Sequence, residues 1–285
     1  MSTLRYRRSV LFVLTSFLAA ILLSACSTSD TLEIASPQAE PSKYAAIVVD
    51  ANDGSILYSV AADQRRYPAS LTKMMTLYLL FEAIDSGQVS KTAAIPVSAN
   101  AARQPASKLY LKAGDTIMVD TAIRALAVKS ANDVATAVAE YLAGSEAAFA
   151  RRMTARARQM GMSHTVFTNA SGLPDSGMST TARDMALLGL ALRRDFPHHY
   201  AYFSLRSFEY RGKRIRGHNK VLDTVAGADG IKTGYIRASG YNLAASVRRS
   251  GRSLVAVVMG GKSGSARDAH MAQLLTATFN RSRRR

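Results

Sequence analysis

Strand-forming segments lie near both ends of the body of this chain, and helix-forming segments lie between them. Short runs rich in β-branched and aromatic residues predict an N-terminal hairpin over 44–50 and 55–60, joined by the turn signal Asn52-Asp53-Gly54. The same criteria predict late strands at 207–210, 230–235, 242–248 and 253–259. Strands that occur early and late, rather than in regular alternation with helices, argue against a doubly wound parallel sheet.

Helical spacing of apolar residues dominates the middle of the chain and its C-terminal end. Helices are predicted at 71–84, 121–128, 133–142, 145–160, 181–192 and 266–278. We therefore expect an α+β fold, in which an antiparallel sheet from both chain ends packs with helices. A mostly helical subdomain is expected as an insertion at about 85–205.

The N-terminus has the pattern of an export signal. A basic segment, Arg5-Tyr6-Arg7-Arg8, precedes an apolar run at 9–23, which is short for a membrane-spanning helix of about 20 apolar residues. This predicts a signal peptide over 1–25 and an exported, periplasmic or extracytoplasmic protein. An uncleaved anchor helix is the alternative interpretation.

Leu23-Ser24-Ala25-Cys26 resembles a bacterial lipobox, in which the cysteine becomes the lipidated first residue. Lipidation at Cys26 would anchor the protein to a membrane. Ordinary cleavage near these small residues remains the alternative. Residues 26–42 are rich in Ser, Thr, Pro and Glu and are predicted to be a flexible tether, leaving 43–285 as the catalytic domain.

The chain carries a net charge of +17, which suits either nucleic acid or an anionic envelope surface. The export signal favours the envelope, so no nucleic-acid partner is expected. Cys26 is the single cysteine, which excludes an internal disulfide.

Ser70 and Lys73 stand three residues apart at the start of the first strong helix, where both side chains share one face. A serine hydroxyl becomes a good nucleophile only when a base takes its proton. Lys73 can accept that proton only when it is neutral, which burial or a nearby cation would favour. A Ser-x-x-Lys spacing also arises by chance.

Two further motifs carry side chains that could act together with Ser70 and Lys73. Ser130-Ala131-Asn132 offers a hydroxyl to relay a proton and an amide to bind substrate, although Ser130 or Asn132 could simply cap the next helix. Lys232-Thr233-Gly234 lies in a predicted strand, where a peptide can bind by main-chain hydrogen bonds. The alternative there is an ordinary surface Lys-Thr pair.

The ordered set of Ser-x-x-Lys, Ser-x-Asn and Lys-Thr-Gly resembles the signature of penicillin-binding proteins and class A β-lactamases. Over about 44–279 the chain resembles the low-molecular-mass penicillin-binding D,D-carboxypeptidases. The resemblance rests on these motifs and on the segments around them: 67–76, 129–133, 169–175, 180–184, 229–235 and 240–243.

The resemblance implies a β-lactamase/D,D-peptidase-like fold with Ser70 as the acylated nucleophile and Lys73 as its base. Ser130 would shuttle protons. The amides of Ser70 and Tyr235 would form an oxyanion hole.

The resemblance also implies a set of substrate-binding residues. Asn132 would position the substrate, and Lys232 and Thr233 would recognise its terminal carboxylate. Tyr235 belongs to this group through its amide. Arg267 would offer a further cation to the carboxylate.

The implied reaction is removal of the terminal D-alanine from peptidoglycan stem pentapeptides through an acyl-enzyme, with β-lactams as covalent inhibitors. No cofactor or metal is expected, and His198-His199 is interpreted as an exposed loop pair.

A Glu-x-x-Leu-Asn deacylation loop is absent from the sequence, which argues against a class A β-lactamase. A D,D-endopeptidase stays an open alternative, and a non-catalytic wall-binding lipoprotein is disfavoured by the complete motif set. The sequence does not indicate an oligomeric state.

Overall fold

The computed structural model describes residues 41–281. Nine strands lie within this part of the chain. They are β1 (Ala45–Asp50), β2 (Ile56–Val60), β3 (Ala94–Pro96), β4 (Thr116–Met118), β5 (Ser207–Tyr210), β6 (Lys213–Arg216), β7 (Ala228–Ile236), β8 (Gly240–Arg249) and β9 (Arg252–Gly261).

Strands from the two chain ends form one antiparallel sheet, in the order β2-β1-β9-β8-β7. The N-terminal hairpin joins the C-terminal meander through β1 and β9, where Val48 pairs with Ala256. The predicted antiparallel sheet is therefore confirmed. Because β7 is an edge strand, one side of its backbone is available for pairing with a bound peptide.

The helices within the described residues are α1 (Lys73–Asp85), α2 (Ala99–Arg103), α3 (Val119–Arg124), α4 (Asn132–Ala143), α5 (Glu146–Gln159), α6 (Ala182–Asp195), α7 (Val221–Thr224) and α8 (Gly264–Arg281). Helices cover both faces of this sheet, and because the sheet is antiparallel the fold is α+β. In β1, Ile47 and Val49 contact the core shared with α1 and α6, whereas Ala46 and Val48 pack in the cluster that includes α8. This alternation follows from the two-residue period of a strand.

Helix α1 is buried around most of its circumference, as expected of a helix without a polar face. Helix α6 begins with a side-chain cap, since Thr181 Oγ1 accepts a hydrogen bond from the Asp184 amide at 3.0 Å. These two helices pack against the sheet, and α1 holds Lys73 at its first position.

The structure departs from the predicted elements mainly where elements are short. Strands β3, β4 and β6 and helices α2 and α7 have only three to five residues, too few to show a periodicity. The helix predicted at 121–128 is α3 followed by a π-helical turn over Ala125–Lys129. Such π turns occur often at functional sites.

No helix among residues 41–281 combines the length and apolarity that crossing a membrane would require. The predicted signal peptide, the lipidation site Cys26 and most of the predicted tether lie outside the described residues. The proposed domain boundaries, including the inserted subdomain, stay predictions.

Candidate active site

Ser70 lies in a turn of 3-10 helix, Ala69–Thr72, that leads directly into α1. Its Oγ atom is 3.1 Å from Nζ of Lys73. Ser70 is half-buried, whereas Lys73 is completely buried. The turn thus presents the hydroxyl to solvent and keeps the amine behind it.

The amine of Lys73 also contacts two carbonyl oxygens. Nζ is 2.7 Å from Oδ1 of Asn132 and 2.6 Å from the backbone oxygen of Ser171. The Asn132 amide is oriented by its Nδ2, which donates to the oxygen of Pro105 at 2.9 Å. A neutral amine has two N–H groups and one lone pair. When the two oxygens accept those hydrogens, the lone pair faces the hydroxyl of Ser70.

The environment of Lys73 favours this neutral form. Burial, followed by the nearby charge of Lys232, lowers the pKa of Lys73 well below its usual value, against the opposing charges of Asp133 and Glu146. Burial and the charge of Arg267 lower the pKa of Lys232 to about 7. Burial thus disfavours the charged form of both amines.

Ser130 follows the π turn and adopts a left-handed conformation, φ 61° and ψ 39°. This is uncommon for a residue other than glycine, and such residues concentrate at functional sites. Its Oγ is buried and has no hydrogen-bond partner among the described residues. Ala131 is the N-cap of α4 and no side chain caps it, so the interpretation of Ser130 or Asn132 as a simple helix cap is wrong.

A buried carboxylate holds the loop beside Ser130. Asp133 is fully buried, and its side chain accepts hydrogen bonds from the amides of Leu109 and Leu111 at 3.0 and 3.1 Å. In the same loop, the oxygen of Ser107 accepts from the Asn132 amide at 2.7 Å. These bonds hold the Ser130-Ala131-Asn132 motif against the loop.

The Lys232-Thr233-Gly234 motif lies on edge strand β7, directly against the turn that carries Ser70. A Cβ atom built on Gly234 would lie 3.0 Å from the Ser70 amide nitrogen, so glycine allows this approach without a shift of the backbone. Lys232 is 2 % exposed and its Nζ donates to the oxygen of Thr233 at 3.0 Å. The alternative of an ordinary surface Lys-Thr pair is therefore wrong.

Tyr235 and Arg267 lie at the rim of the same site. The half-exposed ring of Tyr235 packs on Tyr241, with ring centroids 4.3 Å apart. Arg267, in the first turn of α8, is buried and donates through Nη1 to the oxygen of Asn242 at 3.2 Å and through Nη2 to Asp268 at 2.8 Å. After burial, the charge of Arg267 is the second cause that lowers the pKa of Lys232.

These residues surround a cleft of about 930 Å³. Six of the eight predicted catalytic and binding residues line it: Ser70, Ser130, Asn132, Thr233, Tyr235 and Arg267. Lys73 is buried behind Ser70, and Lys232 lines an adjoining pocket that shares Thr233 with the cleft. The fold thus brings all three sequence motifs to one place.

The turn that supplies the oxygen of Ser171 has no role among the predictions from the sequence. Oδ1 of Asn169 accepts hydrogen bonds from the amides of Ser171 and Gly172 at 3.2 and 2.7 Å, which closes the turn. Gly172 has φ +80°, and a Cβ there would overlap the oxygen of Ala69. The turn-forming composition Asn-Ala-Ser-Gly is a signal that could have drawn attention to this segment.

Among the described residues, Asp268 is the only acidic residue that lines the cleft. Its carboxylate is bound to Arg267, and burial raises the pKa of Asp268. The described cleft therefore offers no free carboxylate next to Ser70 for activating water in the manner of a class A β-lactamase.

Comparisons with known proteins show which family the chain is similar to. A family model described as D-alanyl-D-alanine carboxypeptidase matches residues 32–263. The chain is 36% identical to D-alanyl-D-alanine carboxypeptidase DacA of Escherichia coli (strain K12) over 277 residues, which cover 93% of this chain and 68% of the relative.

Solved structures of similar proteins share the fold. Penicillin binding protein 5 from Haemophilus influenzae has a TM-score of 0.80 and 34% identity, covering 84% of this chain and 70% of that one. Penicillin-binding protein D2 from Listeria monocytogenes, in its ampicillin-bound form, has a TM-score of 0.77 and 30% identity, covering 84% of this chain and 98% of that one.

Proposed function

The chain belongs to the D-alanyl-D-alanine carboxypeptidase family, and we propose that it removes the terminal D-alanine from peptidoglycan stem pentapeptides through a serine acyl-enzyme. The observation that carries this proposal is the contact of 3.1 Å between Ser70 Oγ and Lys73 Nζ, with Lys73 in an environment that favours the neutral amine. A neutral amine in this position can take the hydroxyl proton as the serine attacks.

Acylation begins when Ser70 Oγ attacks the carbonyl carbon of the D-Ala-D-Ala bond and its proton passes to Lys73. The peptide C–N bond then breaks, and the leaving amine needs a proton. Ser130, whose buried Oγ has no other hydrogen-bond partner among the described residues, donates it and is reprotonated from Lys73. Water then hydrolyses the ester and releases the shortened peptide.

The strand β7 supplies the binding surface for the substrate. An extended peptide can pair with the free edge of this strand, while Lys232 and Thr233 bind the terminal carboxylate. The amides of Ser70 and Tyr235 stabilise the oxyanion of the tetrahedral intermediate. The close approach of β7 to Ser70 at Gly234 supports this arrangement.

β-Lactams are expected to acylate Ser70, because their strained amide mimics the scissile dipeptide. The ampicillin-bound state of the Listeria relative supports this extension to the present chain. Since the only acidic residue lining the cleft in the described part of the chain is tied to Arg267, the penicilloyl-enzyme should be long-lived.

The test of the proposed function compares products. Purified protein is given a stem pentapeptide and, separately, a cross-linked muropeptide dimer. A carboxypeptidase releases free D-alanine from the pentapeptide, whereas a D,D-endopeptidase converts the dimer to monomers. A wall-binding lipoprotein without activity would leave both substrates uncleaved, and that result would end the enzymatic proposal.

The protonation of the two buried lysines predicts a bell-shaped pH dependence of kcat/KM. On the acid side, activity rises as Lys73 loses its proton, at a pH well below the usual lysine range because its pKa is lowered. On the alkaline side, kcat/KM falls as the pH rises through about 7, because Lys232 then loses the charge that binds the carboxylate. A bound carboxylate stabilises that charge, so the alkaline limb of kcat should lie at higher pH.

Lys232→Arg is the control for this assignment, because an arginine stays charged throughout the range. In this variant the alkaline limb of kcat/KM should disappear, whatever the loss in absolute rate. An alkaline limb that persists unchanged would show that another group causes it.

The proposed site of action is outside the cytoplasmic membrane, where peptidoglycan lies, with a lipid on Cys26 as the anchor. The lipobox-like pattern before Cys26 supports this part of the proposal. In cells fed a labelled fatty acid, we expect label in the wild-type protein and none in Cys26→Ser. Equal labelling of both, or of neither, would contradict lipidation at this residue.

A further inference from the structure

Three potential metal ligands meet on the described surface away from the cleft. Oδ1 of Asp85 lies 3.0 Å from Nε2 of His198 and 2.8 Å from Nε2 of His199. The three ligand atoms all lie within 4.8 Å of one another. The expectation of an exposed loop pair is wrong for His199, which is 1 % exposed, although His198 does face solvent.

The three residues come from two elements that are far apart in sequence. Asp85 is the last residue of α1, whereas the histidines lie in the turn between α6 and the 3-10 helix Tyr200–Ser204. The ring of His199 stacks on Phe81, with centroids 4.7 Å apart, and its backbone amide donates to the oxygen of Phe196 at 3.1 Å. Packing therefore fixes one imidazole, while the exposed one is free to adjust.

We propose that Asp85, His198 and His199 form a binding site for one divalent transition-metal ion of the zinc class. Zinc takes imidazole nitrogens and carboxylate oxygens at about 2.0–2.2 Å, so ligand atoms around a tetrahedral ion are roughly 3.3 Å apart. The observed separations of 2.8 and 3.0 Å from Asp85 need to increase by only a few tenths of an ångström. The exposed side chain of His198 provides the room for that adjustment.

The donor set selects among cations. Two imidazoles with one carboxylate suit zinc and its neighbours in the first transition row, whereas magnesium and calcium prefer oxygen ligands. An ordinary imidazole is mostly neutral at pH 7 and so has a ring nitrogen free to bind. Asp85 contributes the single negative charge, and Lys91, whose charge acts on His199, works against a bound cation.

A bound ion would connect the C-terminal end of α1 to the segment after α6. The reacting groups lie at the opposite end of the same helix, about 18 Å away for twelve residues at 1.5 Å each. The ion would therefore stabilise the helix that carries Lys73 without touching the substrate. The competing arrangement is a pair of ordinary hydrogen bonds in which both histidines donate to Asp85.

The test measures zinc binding to the full chain by isothermal titration calorimetry and thermal unfolding. The variants are His198→Ala and Asp85→Asn, with His164→Ala as the matched control, because His164 is an exposed histidine outside the cluster. Every variant keeps residue Cys26, so any contribution of that residue to zinc binding is the same in all of them. Penicillin labelling of each variant reports the fold of the active site independently of zinc.

Wild type and His164→Ala should bind one zinc at this site, and zinc at roughly 100 times Kd should raise Tm by about 5–10 °C. In His198→Ala and Asp85→Asn, affinity should fall at least about tenfold, while labelling by penicillin persists. Zinc binding that is absent in wild type, retained in both cluster variants, or lost equally in His164→Ala overturns the proposal.

Discussion

Ser70→Ala is expected to abolish both D-alanine release and labelling by a fluorescent penicillin. The variant lacks the oxygen that forms the ester, while the half-buried position of Ser70 should tolerate the loss of a hydroxyl. Removal of a nucleophilic serine from a catalytic unit lowers kcat by about 10⁶-fold. The measurement is the release of D-alanine from a stem pentapeptide, together with fluorescence of the denatured protein.

Ser86→Ala is the matched control, because Ser86 is an exposed serine directly after the C-terminal end of the same helix, α1. It should label and turn over like wild type. Penicillin bound covalently to Ser70→Ala at the wild-type rate would show that another residue is acylated, and the proposed mechanism would have to be abandoned.

Lys73→Met should lower the acylation rate by about 10²–10⁴-fold, the usual contribution of a general base. Methionine fills a similar volume but carries no basic nitrogen. It also leaves the oxygens of Asn132 and Ser171 without the amine, at a cost of about 1–3 kcal/mol in the free energy of unfolding for each buried acceptor. The second-order rate of acylation by penicillin gives the first effect, and denaturant unfolding gives the second.

Lys73→Arg separates the two roles of this residue. A guanidinium can still donate hydrogen bonds but does not give up its proton in proteins. The variant should therefore remain slow in acylation although it keeps hydrogen-bond donors, and its permanent buried charge near Lys232 should lower the free energy of unfolding. Acylation of Lys73→Arg at a rate near that of wild type would show that Lys73 is not the base.

The predicted order of strands and helices was accurate where the sequence has a clear periodicity. The sequence predicted the hairpin of β1 and β2, the meander of β7, β8 and β9, and the long helices. These elements were predictable because a two-residue or 3.6-residue repeat is a local property of the sequence. The π turn before Ser130 and the short strands could not, since packing and a few hydrogen bonds define them. The burial of His199 was missed for a similar reason, because it depends on Phe81 in a different helix.

By itself, the sequence determined which reactive groups the protein has and in which elements they lie, since residue identity and hydrophobic spacing are local. Only the tertiary structure decided that Ser171 presents its carbonyl oxygen to Lys73 and that Lys232 lies near enough to disfavour a second positive charge. The physical reason is that the pKa of an amine depends on its burial and on the charges around it. Distant segments of the chain supply both when they fold together.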